Sequence, residues 1–69
     1  MKYDTFKAEL KRAKLSVKAF AEILDMNPTS ITNYRRIGKV PKHLAAIVVL
    51  IAALTERGIA YQEIIEKAQ

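Results

Sequence analysis

Four polar side chains recur at helical spacing in the middle of the chain: Thr29, Thr32, Asn33 and Arg36. They stand at i, i+3, i+4 and i+7, so a helix through this segment carries them on one edge. Their chemistry is hydrogen-bonded recognition rather than catalysis. An asparagine amide donates and accepts at once, and it matches the edge of adenine in a bidentate pair. An arginine fork suits guanine or a phosphate, and threonine offers a hydroxyl together with a methyl that fits thymine. Ile31 and Tyr34 fall on the other edge. Such a helix has one side for packing and one side for reading.

The segments that must hold this helix carry clear punctuation. Asn27 is a favoured N-cap and Pro28 a favoured first helical residue, because one accepts an orphan N–H and the other has none to leave unpaired. The helix is expected to end around Arg35 or Arg36, with Gly38 reversing the chain. Upstream, Ser16 caps a helix that ends near Leu24. Its packing stripe is Val17, Phe20, Ala21 and Leu24, with Ala21 small where two helices must approach closely. Asp25, Met26 and Asn27 form the turn between the two, with Met26 directed inward. The region 16–36 thus reads as a helix-turn-helix, a motif that presents its second helix to the DNA major groove.

The flanking elements also read as helices. A first helix is expected over 4–14 or 5–14, with Asp4 as N-cap. Phe6, Leu10 and Ala13 form its core stripe, and Lys7, Lys11 and Lys14 a parallel basic stripe. Pro41 opens a fourth helix that runs to about Arg57, where Gly58 stops it. Leu44, Ile47, Val48, Ile51 and Leu54 make its main stripe. A second apolar face comprises Ala45, Val49 and Ala52 with Ala46, Leu50 and Ala53. A helix apolar on all sides must be buried on all sides. A fifth helix over 60–68 offers Tyr61, Ile64, Ile65 and Ala68 as the stripe that covers one flank of the fourth. The apolar surface left over predicts a partner, most simply a two-fold homodimer through Val49, Leu50, Ala53, Tyr61 and Ile65. The expected architecture is all-α, a compact five-helix single domain over 1–69, with no alternating run of strand length, no repeat and no linker.

Composition bounds the function. The chain has 69 residues, which is room for one domain with a thin core. An apolar content of 51% argues against disorder. Absence of cysteine excludes disulfides and thiolate metal sites. Net charge is +5, and it is unevenly distributed: residues 1–40 hold nine Lys/Arg against four acids, and residues 41–69 hold three of each. A basic amino-terminal part favours a polyanionic partner. The longest apolar run, 44–54, falls short of the roughly 20 residues of a membrane span. The first residues turn charged without an apolar core, so no signal peptide is expected and a cytoplasmic location is. A membrane role for the basic first helix competes with the need for Phe6 and Leu10 in the core. His43 is the sole histidine and has no second ligand nearby, so no metal is expected. There is no Gly-rich phosphate loop and no Ser/His/Asp set, and the helical carboxylates Glu63 and Glu66 suit a solvated face. No enzyme activity, cofactor or small-molecule substrate is expected. Tyr3, Tyr34 and Tyr61 suit packing better than base stacking.

The chain resembles the lambda repressor/Cro-type helix-turn-helix family. The likeness is detailed from Leu15 through Pro41 and extends in layout over nearly the whole chain. It rests on Phe20-Ala21 in the second helix, Leu24, the three-residue turn, Ile31 and the loop ending in Pro41. Three positions depart from the family pattern: Val17 stands where members often have Gln, Asp25 where they usually have Gly, and Arg35 where they frequently have Glu. The resemblance implies a small regulator of transcription, most simply a repressor or phage-type regulator, that binds double-stranded DNA as a dimer. It implies base contacts from Thr29, Thr32, Asn33 and Arg36, flanked by phosphate contacts from Lys18, Ser30, Arg35, Lys39 and Lys42. Phosphate contacts position a protein and carry no sequence information. A rival reading is a protein-interaction module, an adaptor or antitoxin-like partner, that keeps the fold without reading DNA. The apolar fourth helix and the absence of Gln at position 17 fit that reading.

Overall fold

Two phenylalanines organise the interior. Phe6 of α1 (Tyr3–Arg12) and Phe20 of α2 (Val17–Ile23) are fully buried, and their rings meet edge to face with centroids 5.4 Å apart. This geometry contributes about 1 kcal/mol beyond the burial of the rings. The computed structural model describes residues 1–67. It contains three further helices, α3 (Pro28–Ile37), α4 (Lys42–Glu56) and α5 (Tyr61–Lys67), and no strand among the described residues. Leu10, Ala21, Ile31, Leu44 and Val48 close around the two rings, so each of the first four helices lends a stripe to one core.

Helix ends are built from a repeated device. The Leu15 amide donates back to the Leu10 carbonyl at 2.9 Å, and the Met26 amide to the Ala21 carbonyl at 2.8 Å. Both reversals pass through a residue in the left-handed region, Lys14 at φ +58° and Asp25 at φ +55°. The Ile59 amide repeats the bond to the Leu54 carbonyl at 3.0 Å, with Gly58 at φ +70°. These are Schellman-type terminations, in which an apolar residue past the turn folds back onto its helix. Leu15 and Met26 do so and pack against the core.

The start and end of α1 differ from expectation. Asp4 is not the cap but lies within the first turn, and the N-cap is Lys2, whose side chain makes no capping bond. The cause is tertiary: the Tyr3 amide donates to the Gly38 carbonyl at 2.9 Å, which satisfies an orphan donor at the first helical residue and lets the helix start one or two residues early. At the other end, Lys14 leaves the helix because it carries the left-handed reversal.

Helix α1 lies along α4. Both start beside the loop 38–41, and their far ends are tied through Arg12, whose Nε donates to Glu56 Oε1 at 2.7 Å while Nη1 donates to both Glu9 carboxylate oxygens at 2.8 Å. On α4, Leu44, Val48, Ile51 and also Ala52 face the core, so Ala52 belongs to the interior rather than to the second apolar face. Helix α5 packs on α4 with Tyr61 and Ile65 half-buried, and it has no fully buried residue. Ile64, expected in its covering stripe, is instead 54% exposed. Ala68 lies outside the described residues. No helix among the described residues is long and apolar enough to cross a membrane.

Candidate nucleic-acid interface

Helix α3 is fixed at both ends by its own sequence. Asn27 Oδ1 accepts from the Thr29 amide at 2.9 Å, Pro28 fills the first helical position, and the Ser30 amide donates to the Asn27 carbonyl at 3.0 Å. Gly38, at φ +84°, closes the helix with its amide on the Tyr34 carbonyl at 2.8 Å. The preceding helix is set in the same way, with Ser16 Oγ accepting from the Ala19 amide at 3.0 Å. Helices α2 and α3 pack on each other, and Ile31, fully buried, is the anchor of α3 in the core. Tyr34 is half-buried beside it. The helix runs through Ile37, one residue past the expected end.

With Ile31 turned inward, Thr29, Thr32, Asn33 and Arg36 are all exposed along the outward edge. They share one surface, as their spacing requires. One detail alters their chemistry. Thr32 Oγ1 donates to the Pro28 carbonyl at 3.0 Å, so its hydroxyl proton is engaged by the backbone. Thr32 retains its oxygen lone pairs and its methyl for an outside partner. Ile37 also stands on this surface, in line with Ser30 and Asn33, and is 69% exposed. Sequence reasoning missed it because the helix was expected to stop before it. The signal was present in its i+4 spacing from Asn33.

The surroundings of this edge are cationic. Arg35, Lys39 and Lys42 are exposed, as are Lys18 on α2 and Ser30 at the start of α3. None of these cations enters an ion pair among the described residues. From Met26 through Thr55 the chain has no Asp or Glu, while Arg35, Arg36, Lys39 and Lys42 all fall within that stretch. Arg12 behaves differently. Its hydrogen bonds to the accepting carboxylates of Glu56 first and Glu9 second hold its guanidinium protonated far above the ordinary range, and its charge is internally matched. The hydrogen bond from Arg12 in turn holds the Glu56 carboxyl below the usual carboxylate range. Val17, at the start of α2, is half-buried and packs against the core.

The apolar surface lies elsewhere. Of the residues expected at a dimer surface, Val49 and Leu50 are exposed, Leu50 by 63%. Ala53, Tyr61 and Ile65 are only half-exposed, because Tyr61 and Ile65 are partly used in covering the core. Ile59 and Ile64 add exposed apolar area that was not assigned to that surface. His43 is exposed, and no group of His, Cys, Asp or Glu that could hold a metal ion occurs among the described residues. A search of protein-family models, curated proteins and solved structures found no match to the chain.

Proposed function

We propose that this protein binds double-stranded DNA in a sequence-specific manner, with α2 and α3 acting as a helix-turn-helix of the lambda repressor/Cro type and α3 lying in the major groove. The observation that carries the reading is the outward edge of α3. Thr29, Asn33 and Arg36 are exposed together on a helix whose opposite side is anchored by buried Ile31, and unpaired cations flank them. Ten residues of helix span about 15 Å, and the major groove, about 12 Å wide, admits such a helix. Asn33 would read an adenine edge, Arg36 a guanine or a phosphate, and the threonine methyls would meet thymine. Lys18, Ser30, Arg35, Lys39 and Lys42 would hold the backbone and fix the register.

Binding as a two-fold dimer follows the same logic. Half-sites one helical turn apart are about 34 Å centre to centre. A protomer measuring 32 × 23 × 18 Å is of the right size for two copies to present their α3 helices at that spacing. Occupying promoter DNA would make such a protein a small transcriptional repressor. Selection from a random duplex pool tests the proposal. The expected product is an inverted repeat, and a pool that never enriches refutes it. The exposure of Leu50 and Ile64 favours a second reading, a module that binds another protein. That reading gains if no salt-dependent DNA binding is seen at low ionic strength.

A further inference from the structure

Lys2 and Lys39 are joined by an isolated antiparallel bridge. The Tyr3 amide donates to the Gly38 carbonyl at 2.9 Å, and the Val40 amide donates to the Met1 carbonyl at 2.8 Å. These two bonds flank the lysine pair rather than join it. Lys2 and Lys39 are therefore a non-hydrogen-bonded pair, the arrangement with Cα atoms about 4.5 Å apart and side chains leaving the same face. Both lysines are exposed, and neither has an ion-pair partner among the described residues. Like charges directly opposite across a bridge repel and destabilise it. The bridge persists because both its ends are pinned: Tyr3 and Val40 are buried in the core. The backbone thus holds two ammonium stems side by side at the foot of α3, immediately beyond its capping Gly38.

We propose that Lys2 and Lys39 form a clamp for a single phosphodiester of the DNA backbone, which makes the segment preceding α1 part of the binding surface. This rests on the DNA-binding reading above and extends it to a residue outside the helix-turn-helix. Each lysine is a compact point charge on a flexible four-carbon stem, so two stems from adjacent roots converge on one anion. The phosphate removes the repulsion that the free protein carries. The contact positions α3 in the groove and contributes no sequence preference.

The test measures affinity for a selected duplex as a function of salt, for the wild type and for Lys2→Gln, Lys39→Gln, the double variant and Lys67→Gln. Each neutralised phosphate contributes a slope of about 0.9 in log–log form. The double variant is expected to lose about one unit of slope in total, because one phosphate is released. Lys67→Gln, at the end of α5, removes the same charge and is expected to leave the slope unchanged. A further variant, Lys2→Glu, is expected to raise the melting temperature by pairing with Lys39 while weakening DNA binding. A double-variant loss near two units means two separate phosphates and overturns the clamp. So does a full unit lost in Lys39→Gln alone with no further loss in the double variant, which leaves Lys2 without a role, or Lys2→Glu binding as tightly as the wild type. Wild-type protein with no salt-dependent binding refutes the DNA-binding reading itself and is thereby distinguished from failure of the clamp.

Discussion

Lys14 holds the left-handed reversal that ends α1, at φ +58°, with a full side chain in a region glycine prefers. For an L-residue this conformation costs roughly 1–2 kcal/mol. Lys14→Gly removes that cost and adds about 0.5–1 kcal/mol of unfolded-chain freedom. The net expectation is stabilisation by about 0.5–1 kcal/mol. Lys14 is exposed and enters no ion pair among the described residues, and its amide bond to the Lys11 carbonyl at 3.0 Å survives the change. Lys14→Ala removes the same charge but keeps the strain, so the gap between the glycine and alanine variants isolates the backbone term at about 1 kcal/mol. In a domain of this size that gap corresponds to about 4–8 °C in melting temperature. Urea and thermal melts followed by circular dichroism resolve it. Should the alanine variant prove as stable as the glycine variant, the left-handed termination of α1 is wrong, and the parallel reasoning for Asp25 goes with it.

Other perturbations address the reading edge, the surface pairs and the assembly. Asn33→Ala is expected to cost about 1–3 kcal/mol of discrimination at one base pair while leaving non-specific affinity unchanged, as measured by competition with single-base variants of the selected site. Glu56→Gln tests the pair with Arg12. The folded carboxyl is held below its unfolded range by the hydrogen bond from Arg12, so its contribution is present above the usual carboxylate range and lost as pH falls through the folded value. The stability difference between wild type and Glu56→Gln should therefore shrink toward zero in acid, and a gap that stays constant with pH argues against the pair. Leu50→Glu puts a charge on the most exposed large apolar residue of α4; if two copies associate through this face as proposed, the variant is expected to sediment as a monomer where the wild type sediments as a dimer, without lowering the stability of the fold.

Much of the architecture was legible because its causes are local. Ser16, Asn27, Pro28, Gly38 and Gly58 act through bonds to their immediate neighbours, and they end or start helices within a residue or so of the expected positions. The core residues Phe6, Leu10, Phe20, Ala21 and Ile31 were legible because helical periodicity determines which face they share. What escaped has long-range or conformational causes. The start of α1 depends on a bond to Gly38, far away along the chain. Lys14 gives no compositional hint of a left-handed turn, since glycine or asparagine is the usual signal. The rotation of α5, with Tyr61 and Ile65 inward and Ile64 outward, is decided by its packing on α4. Within the reading edge, spacing foretold the shared surface of Thr29, Thr32, Asn33 and Arg36. It did not reveal that the Thr32 hydroxyl is turned back onto Pro28, or that Lys2 stands beside Lys39.

The central claim is that the outward edge of α3 is the surface that meets DNA. Titration of isotope-labelled protein with a selected duplex, followed by amide chemical shifts, tests it residue by residue. The account predicts the largest shifts at Thr29, Thr32, Asn33 and Arg36, with smaller ones at Lys18, Lys39 and Lys42. Shifts confined to Val49, Leu50 and Ile64, or none at all, would contradict it.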